Sequence, residues 1–138
     1  SSASVHHSMV ANGCRIAGEV RNSLLSPGVV VEKGAVVRDS IVMHDVVVCR
    51  DATLDRAILD KHVLVGAGGR VGHGDDLSPN RACPEHLSSG LVAVGAHARL
   101  PEGIVVGRNA RIGARVEESD FTAPVPAGGV VDGPQSMH

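Results

Sequence analysis

The chain has 138 residues, of which 43% are hydrophobic and 20% are charged, and its formal net charge is −2. This length suits one domain with a continuous core, and the near-neutral charge excludes a bulk electrostatic affinity for nucleic acid or for an anionic membrane. No apolar run approaches the roughly 20 residues of a membrane span. Three widely spread cysteines favour a reducing, cytoplasmic compartment over a disulfide framework.

The first predicted elements are short repeats of six residues, each opened by an aliphatic side chain. They start at Val10 and Ile16 and, after a three-residue slip, resume at Leu25, Val31 and Val37. A helix would place apolar residues three and four apart instead. Each hexad therefore predicts one short strand and one turn, and three hexads predict a triangular coil of about 18 residues in a parallel β-helix.

The middle of the chain continues the repeat with two interruptions. Val37 and Val48 are eleven residues apart, one short of two hexads, so a tightened corner is predicted within Met43–Val47. A second tightened corner is predicted around Asp60–His62. The hexads of this region open at Val48, Leu54, Val65 and Val71.

The last third of the chain contains one insertion and the clearest repeats. Residues 74–90 hold two prolines and the adjacent acids Asp75 and Asp76, and they predict a loop that projects from a corner. Four regular hexads follow, opened by Val94, Leu100, Val106 and Ile112. Residues 117–138 then predict a cap and tail in which Phe121 covers the last rung. Residues 1–138 are thus predicted to form one domain of four to five coils.

The residue types agree with a narrow prism. Small aliphatic side chains fill its interior, aromatic residues make up only 1% of the chain, and glycine suits sharp corners because it adopts positive φ without steric cost. Charged residues between the inward positions, such as Arg99, Glu102, Arg108 and Arg115, are expected to face solvent.

Beyond the generic hexad, three motifs occur in order: R-N-S-L-L at 21–25, R-D-S-I-V-M at 38–43 and I-L-D-K at 58–61. With the surrounding segments Ser8–Met43, Ala57–Gly68, Gly74–Asn80 and Gly90–Ile112, they resemble the C-terminal domain of bacterial glucose-1-phosphate adenylyltransferases, also called ADP-glucose pyrophosphorylases. The resemblance extends from about Val5 to Val131. It implies an all-β fold, the single-stranded, left-handed parallel β-helix.

The resemblance implies that the chain is part of a larger enzyme of glycogen synthesis. In that family an N-terminal α/β nucleotidyltransferase domain uses Mg²⁺ to join ATP and glucose 1-phosphate, giving ADP-glucose and pyrophosphate. This chain has no Gly-rich nucleotide loop between a strand and a helix, so we expect catalytic residues, Mg²⁺ and other cofactors to lie outside it. The implied partners are the enzyme's own N-terminal domain, further copies of the chain (tetramers in the family), and a phosphorylated sugar or glycolytic effector.

The resemblance also implies effector-binding residues. Lys61 of I-L-D-K matches a lysine with which plant relatives bind an effector, and Arg56 falls where enteric-type relatives carry effector-binding arginines. A second plant lysine corresponds to Ala96, so His97 and Arg99 are the nearby candidates to replace it.

Phosphate recognition requires several converging N–H donors, which arginine and lysine supply. Arg50, Arg56 and Lys61 recur at near-hexad separations, so we expect their side chains to gather around one corner region on adjacent coils. The alternative interpretation is that they are ordinary solvated charges on one face of the solenoid.

Other functions stay open at this point. A catalytically silent paralogue or another sugar-1-phosphate nucleotidyltransferase shares the features above. A hexapeptide-repeat acyltransferase, active as a trimer, needs a histidine as general base beside coenzyme A, and His44, His73 and His97 are candidates by position. A zinc site needs three histidines in correct geometry. His62 and His73, eleven residues apart, lack a convincing third partner, so we predict no metal site.

Overall fold

A computed structural model describes residues 3–85 and 87–133. Within these residues, short strands alternate with tight turns, and one 3₁₀-helix, Glu118–Asp120, lies near the C-terminal end. The strands pair in parallel and form three flat sheets. Because consecutive strands belong to different sheets, the chain winds as a parallel β-helix of triangular cross-section, as the hexads predict.

Each sheet takes one strand from each successive coil. Sheet A contains β1 (Ser4–His6), β4 (Glu19–Arg21), β7 (Val36–Arg38), β10 (Thr53–Asp55), β13 (Arg70–His73) and β16 (Val105–Gly107). Sheet B contains β2 (Met9–Val10), β5 (Leu24–Leu25), β8 (Ile41–Val42), β11 (Ala57–Leu59), β14 (Val92–Val94), β17 (Arg111–Ile112) and β18 (Val130–Val131). Sheet C contains β3 (Arg15–Ile16), β6 (Val30–Val31), β9 (Val47–Val48), β12 (Leu64–Val65) and β15 (Arg99–Leu100). The prism edges are named AB, BC and CA after the sheets that they join.

The prism has more coils than the hexads predict. Sheet B holds seven strands, one for each coil, so the prediction of four to five coils is wrong. Residues 125–131 add a seventh coil rather than only a cap, because Val125 bridges Val106 and β18 pairs with β17. Phe121 packs against the core as predicted.

The core is a set of aliphatic ladders inside the prism. Val20, Val37, Leu54 and Val71 follow one another in sheet A and are all buried. Each rung is small because three sheets converge on a narrow interior, and large-to-small changes in such packing cost about 2–5 kcal/mol. The hexad openers from Val94 to Ile112 are likewise buried.

The tightened corner lies at edge AB, not at the predicted positions. In coils 2 to 4, successive inward residues are five apart there (Val37 to Val42), while those across the other two edges, such as Val42 to Val48, are six apart. The predictions within Met43–Val47 and around Asp60–His62 are therefore wrong. Hydrophobicity alone does not show which of the three successive valines, 46 to 48, faces inward. The ladder residues paired above and below Val42 determine the inward positions of this coil.

Serine residues hold edge AB together. The Ser40 hydroxyl donates to the Arg38 carbonyl at 2.7 Å and accepts from the Ala57 amide at 3.1 Å. Ser23 repeats this arrangement one coil earlier, accepting from the Ser40 amide, and Ser8 repeats it again. The motifs R-N-S-L-L and R-D-S-I-V-M are thus successive copies of one corner, since their serines satisfy buried backbone amides.

The insertion, residues 74–91, connects β13 to β14 and lies against the prism. Asn80 and Asn109 are fully buried at its base. The Asn80 amide donates to the Asn109 and Gly129 carbonyls, and the Asn109 amide donates to the Leu77 and Ser78 carbonyls. The prediction of a projecting loop is wrong, because these bonds and the buried Leu87 fasten the loop to coils 5–7.

Candidate functional site

A shallow groove on edge BC brings histidine, arginine and carboxylate side chains together. It measures about 630 Å³ and is lined by Asp45, Val47, His62, Val63, Leu64, His97, Arg99, Arg115 and Glu117. The groove runs along the prism axis, because Asp45, His62, His97 and Arg115 occupy the same corner position on four successive coils. A ligand in it would therefore contact several coils at once.

The corner position determines how these side chains project. Asp45, His62, His97 and Arg115 all have positive φ, between 58° and 64°. Each donates its backbone N–H to the preceding coil; for example, His97 donates to the Lys61 carbonyl at 3.0 Å. The left-handed conformation costs about 1–2 kcal/mol in a non-glycine residue. It recurs at all three edges, so it belongs to the fold and does not mark a site.

Two imidazoles form the centre of the groove. The rings of His62 and His97 stack with centroids 5.0 Å apart and planes inclined by 13°. The His62 Nε2 lies 3.9 Å from the Asp45 carboxylate. Both histidines are exposed, and the exposed residues Arg99 and Arg115 line the same groove. These groups can donate hydrogen bonds to one anionic ligand.

Lys61 is on the same edge, immediately before His62. Its side chain is exposed, and its backbone N–H donates to the Asp60 carboxylate at 2.7 Å. The structure therefore brings three predicted site residues, Lys61, His97 and Arg99, to edge BC. Their neighbours Asp45 and Glu117 place one carboxylate near each end of the groove.

Arg56 lies on edge AB, away from the groove. It has φ of 55°, and its Nη1 donates to the Ser89 carbonyl of the insertion at 3.3 Å. A second group of charges lies beside it, because Asp55 pairs with Arg108 at 3.0 Å and faces Arg38 at 3.7 Å. Arg108 also donates its Nε–H to the Gly74 carbonyl at 2.8 Å. The expectation that Arg108 faces solvent is wrong, since this side chain is largely buried between the prism and the insertion.

Arg50 lies on the third edge, CA, where its backbone N–H donates to the Glu32 carboxylate at 2.9 Å. The predicted gathering of Arg50, Arg56 and Lys61 at one corner region is therefore wrong. Five or six residues carry the chain across one sheet to the next edge, at most about 17–20 Å of extended chain. On this solenoid, residues share an edge when they are about one coil apart, not one hexad apart.

Sequence reasoning missed Asp45 and Arg115 as members of a site, and it considered His62 only as a zinc ligand. The usable signal was the coil period: with the insertion removed, these residues recur about 17 positions apart, the spacing that separates Val20 from Val37. The hexad analysis did not relate these residues to one corner position.

The residues of the competing hypotheses do not assemble into a site. His62 lies on edge BC and His73 ends β13 in sheet A, so the pair considered for zinc is divided between two edges. Within residues 3–85 and 87–133, no group of three or more His, Cys, Asp or Glu is placed to hold a metal ion. Of the acyltransferase candidates, His44 and His73 are exposed and His97 is stacked on His62.

Two ionisable groups outside the groove have shifted pKa values. Burial raises the pKa of the Cys49 thiol above its ordinary value of 9.0, the Glu32 carboxylate raises it further, and Arg50 opposes both. In the insertion, hydrogen bonds from the hydroxyl and the backbone N–H of Ser78 lower the pKa of the Asp76 carboxyl. Asp76 therefore acts as a turn-forming carboxylate. The described residues contain no helix long and apolar enough to cross a membrane.

Comparison with known proteins agrees with this architecture. Residues 1–94 match the model of a family described as GlmU-like, C-terminal hexapeptide. The glucose-1-phosphate adenylyltransferase of Thermomicrobium roseum is 51% identical over 82 residues, which are 59% of this chain and 19% of that enzyme. The corresponding enzyme of Acetivibrio thermocellus is 40% identical over 118 residues, 86% of this chain and 28% of that enzyme. The chain thus spans about a fifth to a quarter of these relatives, and the resemblance seen in its motifs is confirmed.

Among solved structures, the acetyltransferase domain of PglB from Neisseria gonorrhoeae FA1090, in complex with acetyl coenzyme A, superposes with a TM-score of 0.53. The superposition covers 91% of this chain and 51% of that domain, at 21% sequence identity. At this identity the likeness concerns the fold, and it agrees with a hexapeptide β-helix.

Proposed function

The chain belongs to the GlmU-like, C-terminal hexapeptide family, and we propose that it is the C-terminal assembly and regulatory domain of a cytoplasmic glucose-1-phosphate adenylyltransferase. In this proposal a preceding domain binds Mg²⁺, ATP and glucose 1-phosphate and forms ADP-glucose and pyrophosphate for glycogen synthesis. The observation that carries the proposal is the 40% identity over 118 residues to an enzyme of that name. The groove on edge BC supplies the regulatory part.

The groove is proposed to bind a phosphorylated sugar or glycolytic effector. His97 and Arg99 line this groove, and Lys61 lies on the same edge one coil earlier, directly before the groove residue His62. Arginine offers two parallel N–H donors to phosphate, and lysine offers a mobile point charge. Arg56 and Arg50 lie on the other two edges. They would contact the effector only through a second phosphate, or bind anionic groups of a neighbouring subunit.

Assembly is the second part of the proposed function. The parent enzyme is expected to be a homo-oligomer, a tetramer if it follows the resemblance, and closed symmetry is usual for such assemblies. Analytical ultracentrifugation of the parent enzyme, with and without residues 1–138, measures the contribution of this domain. An unchanged number of subunits per particle after removal of the domain would remove assembly from the proposal.

The regulatory part is tested by pyrophosphate release from ATP and glucose 1-phosphate, with and without fructose 1,6-bisphosphate. We expect Lys61→Gln to abolish most of the activation while the activity without effector stays within about twofold of the unsubstituted enzyme. Lys33→Gln is the matched control, because Lys33 is also an exposed lysine directly before a left-handed corner residue, but lies on edge CA. Equal loss of activation in both variants would point to bulk charge and contradict a site on edge BC.

The same assay tests the parent activity. If no phosphorylated effector changed the rate of pyrophosphate release, the regulatory part of the proposal would be refuted and the chain would be an assembly domain. If the parent protein lacked activity on every sugar 1-phosphate, the silent paralogue would become the favoured interpretation. If that inactive protein bound coenzyme A, the acyltransferase would be favoured instead.

A further inference from the structure

A recess on the outward face of sheet A gathers four basic side chains around one carboxylate. It has a volume of about 320 Å³ and lies next to the point where β13 leads into the insertion. The residues that carry its charge are Arg38, Asp55, Arg70, His73 and Arg108. The recess and the groove on edge BC have no lining residue in common, so the recess is a second polar region of the domain.

The strand register explains how residues of different coils meet there. Arg38 of β7 is the direct partner of Asp55 in β10. Arg70 of β13 is the partner of Thr53, two residues before Asp55. Neighbouring strands lie about 4.8 Å apart. Long outward side chains from three successive coils therefore reach one small volume.

A β-bulge adds His73 to this set. The register of β13 against β16 shifts between Val71 and His73, and Gly72, with φ of 86°, takes the extra position. Bulges re-aim the side chains beside them. His73 is consequently exposed and lines the recess, although simple alternation would turn it inward like Val71.

Arg108 reaches the recess from coil 6. Its Nη2 donates to the Asp55 carboxylate at 3.0 Å, and its Nε donates to the Gly74 carbonyl at 2.8 Å. Its Nη1 is buried and, among the described residues, has no hydrogen-bond partner. An unpaired donor on a buried charged group is unfavourable, and native proteins normally give such a group a partner. The charge of Arg108 is thus only partly compensated by the protein.

The recess as a whole has excess positive charge. Among the described residues, Asp55 is the single acidic one that lines it. Asp55 lies 3.0 Å from Arg108 and 3.7 Å from Arg38. The side chains of Arg70 and His73 have no hydrogen-bond or ion-pair partner in the described part of the chain. Three guanidinium groups and one carboxylate leave two positive charges uncompensated, and a protonated imidazole would add a third.

We propose that this recess, the sheet A site, binds a phosphate group. Guanidinium groups present paired N–H donors that match phosphate oxygens. A phosphate monoester carries a charge of about −1.5 to −2 at pH 7, which compensates the site better than the single charge of a carboxylate. The volume is at the lower end of the range for ligand pockets, so it suits a phosphate ion or a small phosphate monoester. The site does not depend on the proposed function, because it uses none of the residues of the groove on edge BC.

A bound phosphate would also stabilise the start of the insertion. His73 ends β13, and Gly74 is the first residue of the insertion and already accepts from Arg108. Contacts from one phosphate to Arg38, Arg70 and His73 would therefore connect coils 3 to 5 with this junction. We expect phosphate to slow amide hydrogen exchange at residues 72–76.

Amide NMR spectra of the 138-residue chain test the proposal, with sodium phosphate replacing sodium chloride at constant pH and ionic strength. We expect the signals of Gly72, His73 and Gly74 to shift and to reach saturation. Arg70→Gln should raise the midpoint of this titration about tenfold or more, because it removes a charge-assisted donor. The fold should persist, since the Arg70 side chain is exposed and has no partner among the described residues.

Two control variants separate this site from bulk charge and from the groove. Arg15→Gln is the matched control, because Arg15 also takes an exposed outward position of a strand, but on sheet C. We expect Arg15→Gln, and Lys61→Gln on edge BC, to change the midpoint less than about twofold. Equal weakening in Arg70→Gln and Arg15→Gln would indicate bulk charge and overturn the proposal. Shifts confined to edge BC and abolished by Lys61→Gln would overturn it too, while leaving the effector groove of the proposed function in place.

Glucose 1-phosphate, used in place of inorganic phosphate, distinguishes two sources of the phosphate group. Saturation of the same signals at a lower concentration would assign the site to a sugar phosphate, and the reverse order would assign it to the free phosphate ion. Either result supports a phosphate site on sheet A. Unchanged signals of Gly72, His73 and Gly74 with both probes would overturn the proposal.

Discussion

Substituting Asn80 by alanine should detach the insertion from the prism without unfolding the rest of the domain. The Asn80 side chain is fully buried and makes four hydrogen bonds. Its Nδ2 donates to the Asn109 carbonyl at 2.9 Å and the Gly129 carbonyl at 3.2 Å, and its Oδ1 accepts from the amides of Ala82 and Cys83 at 2.8 and 2.9 Å. All four bonds are lost in Asn80→Ala.

The loss of stability in Asn80→Ala depends on which of the four hydrogen-bond partners remain buried without a new partner. The Gly129 carbonyl keeps a second bond, from the Arg111 amide, and the Ala82 amide lies on an exposed residue, so water satisfies it. An orphaned buried group costs about 1–3 kcal/mol, and two such groups put the loss near 3 kcal/mol. Asn80→Asp should be no better, because it keeps the acceptor for the turn but directs a carboxylate at two carbonyl oxygens.

Hydrogen exchange followed by mass spectrometry measures this loss locally. In a solenoid each coil contacts only its neighbours, so we expect faster exchange in residues 74–91 and in β18, and unchanged exchange in β5 and β8. Asn12→Ala, at an exposed turn residue of the first coil, is the control and should change neither region. Unchanged exchange in the insertion of Asn80→Ala, or an equal increase along the whole chain, would refute the reasoning.

Three further predictions concern single residues. Ser40→Ala removes the acceptor of the buried Ala57 amide and should lower the free energy of unfolding by about 1–3 kcal/mol in urea denaturation; a loss below about 0.5 kcal/mol would contradict the role of the serine corner. Gly72→Ala should cost more than about 3 kcal/mol, because φ is 86° and an added Cβ would lie 2.0 Å from the Asp55 carbonyl oxygen. Gly68→Ala, with φ of 71° and open space, is its control and should cost only about 1–2 kcal/mol. Alkylation of Cys49 should have a higher pH midpoint in the native chain than in the urea-unfolded chain, since burial raises the pKa of its thiol. Because folding favours the protonated thiol, the stability of the native state should fall as the pH rises past 9.0. Equal alkylation midpoints in the two states would disprove the raised pKa.

The inward residues were predictable from the sequence because one physical constraint determines them. A prism formed by three sheets leaves room only for small aliphatic side chains, so Val94, Leu100, Val106 and Ile112 are recognisable one by one, and all are buried. The coil count was not predictable in the same way. Val20 was overlooked as a rung because the first coil is shorter, with 15 residues between Val5 and Val20 instead of the 17 between Val20 and Val37.

The candidate site was less predictable because it depends on which edge a residue occupies. Lys61 and His97 are 36 residues apart in sequence, yet the His97 amide donates to the Lys61 carbonyl. Arg56 and Lys61 are five residues apart and lie on different edges. Hexad spacing alone cannot assign edges once the first four coils each contain a five-residue corner and an insertion of unknown packing intervenes.

The motifs that identify the family most strongly turn out to describe a corner rather than chemistry. The serines of R-N-S-L-L and R-D-S-I-V-M satisfy backbone amides of the next coil, and Leu25 and Val42 of the two motifs supply rungs of the core. Any function must therefore be sought in residues that the repeat does not dictate. The stacked pair of His62 and His97 satisfies this condition, because the corner position that they share is also occupied by glycine at Gly28. A corner that accepts glycine on coil 2, aspartate on coil 3 and imidazole on coils 4 and 5 has no structural need for imidazole. If the proposed regulatory role is correct, substitutions in the groove on edge BC should therefore alter regulation while leaving the fold intact.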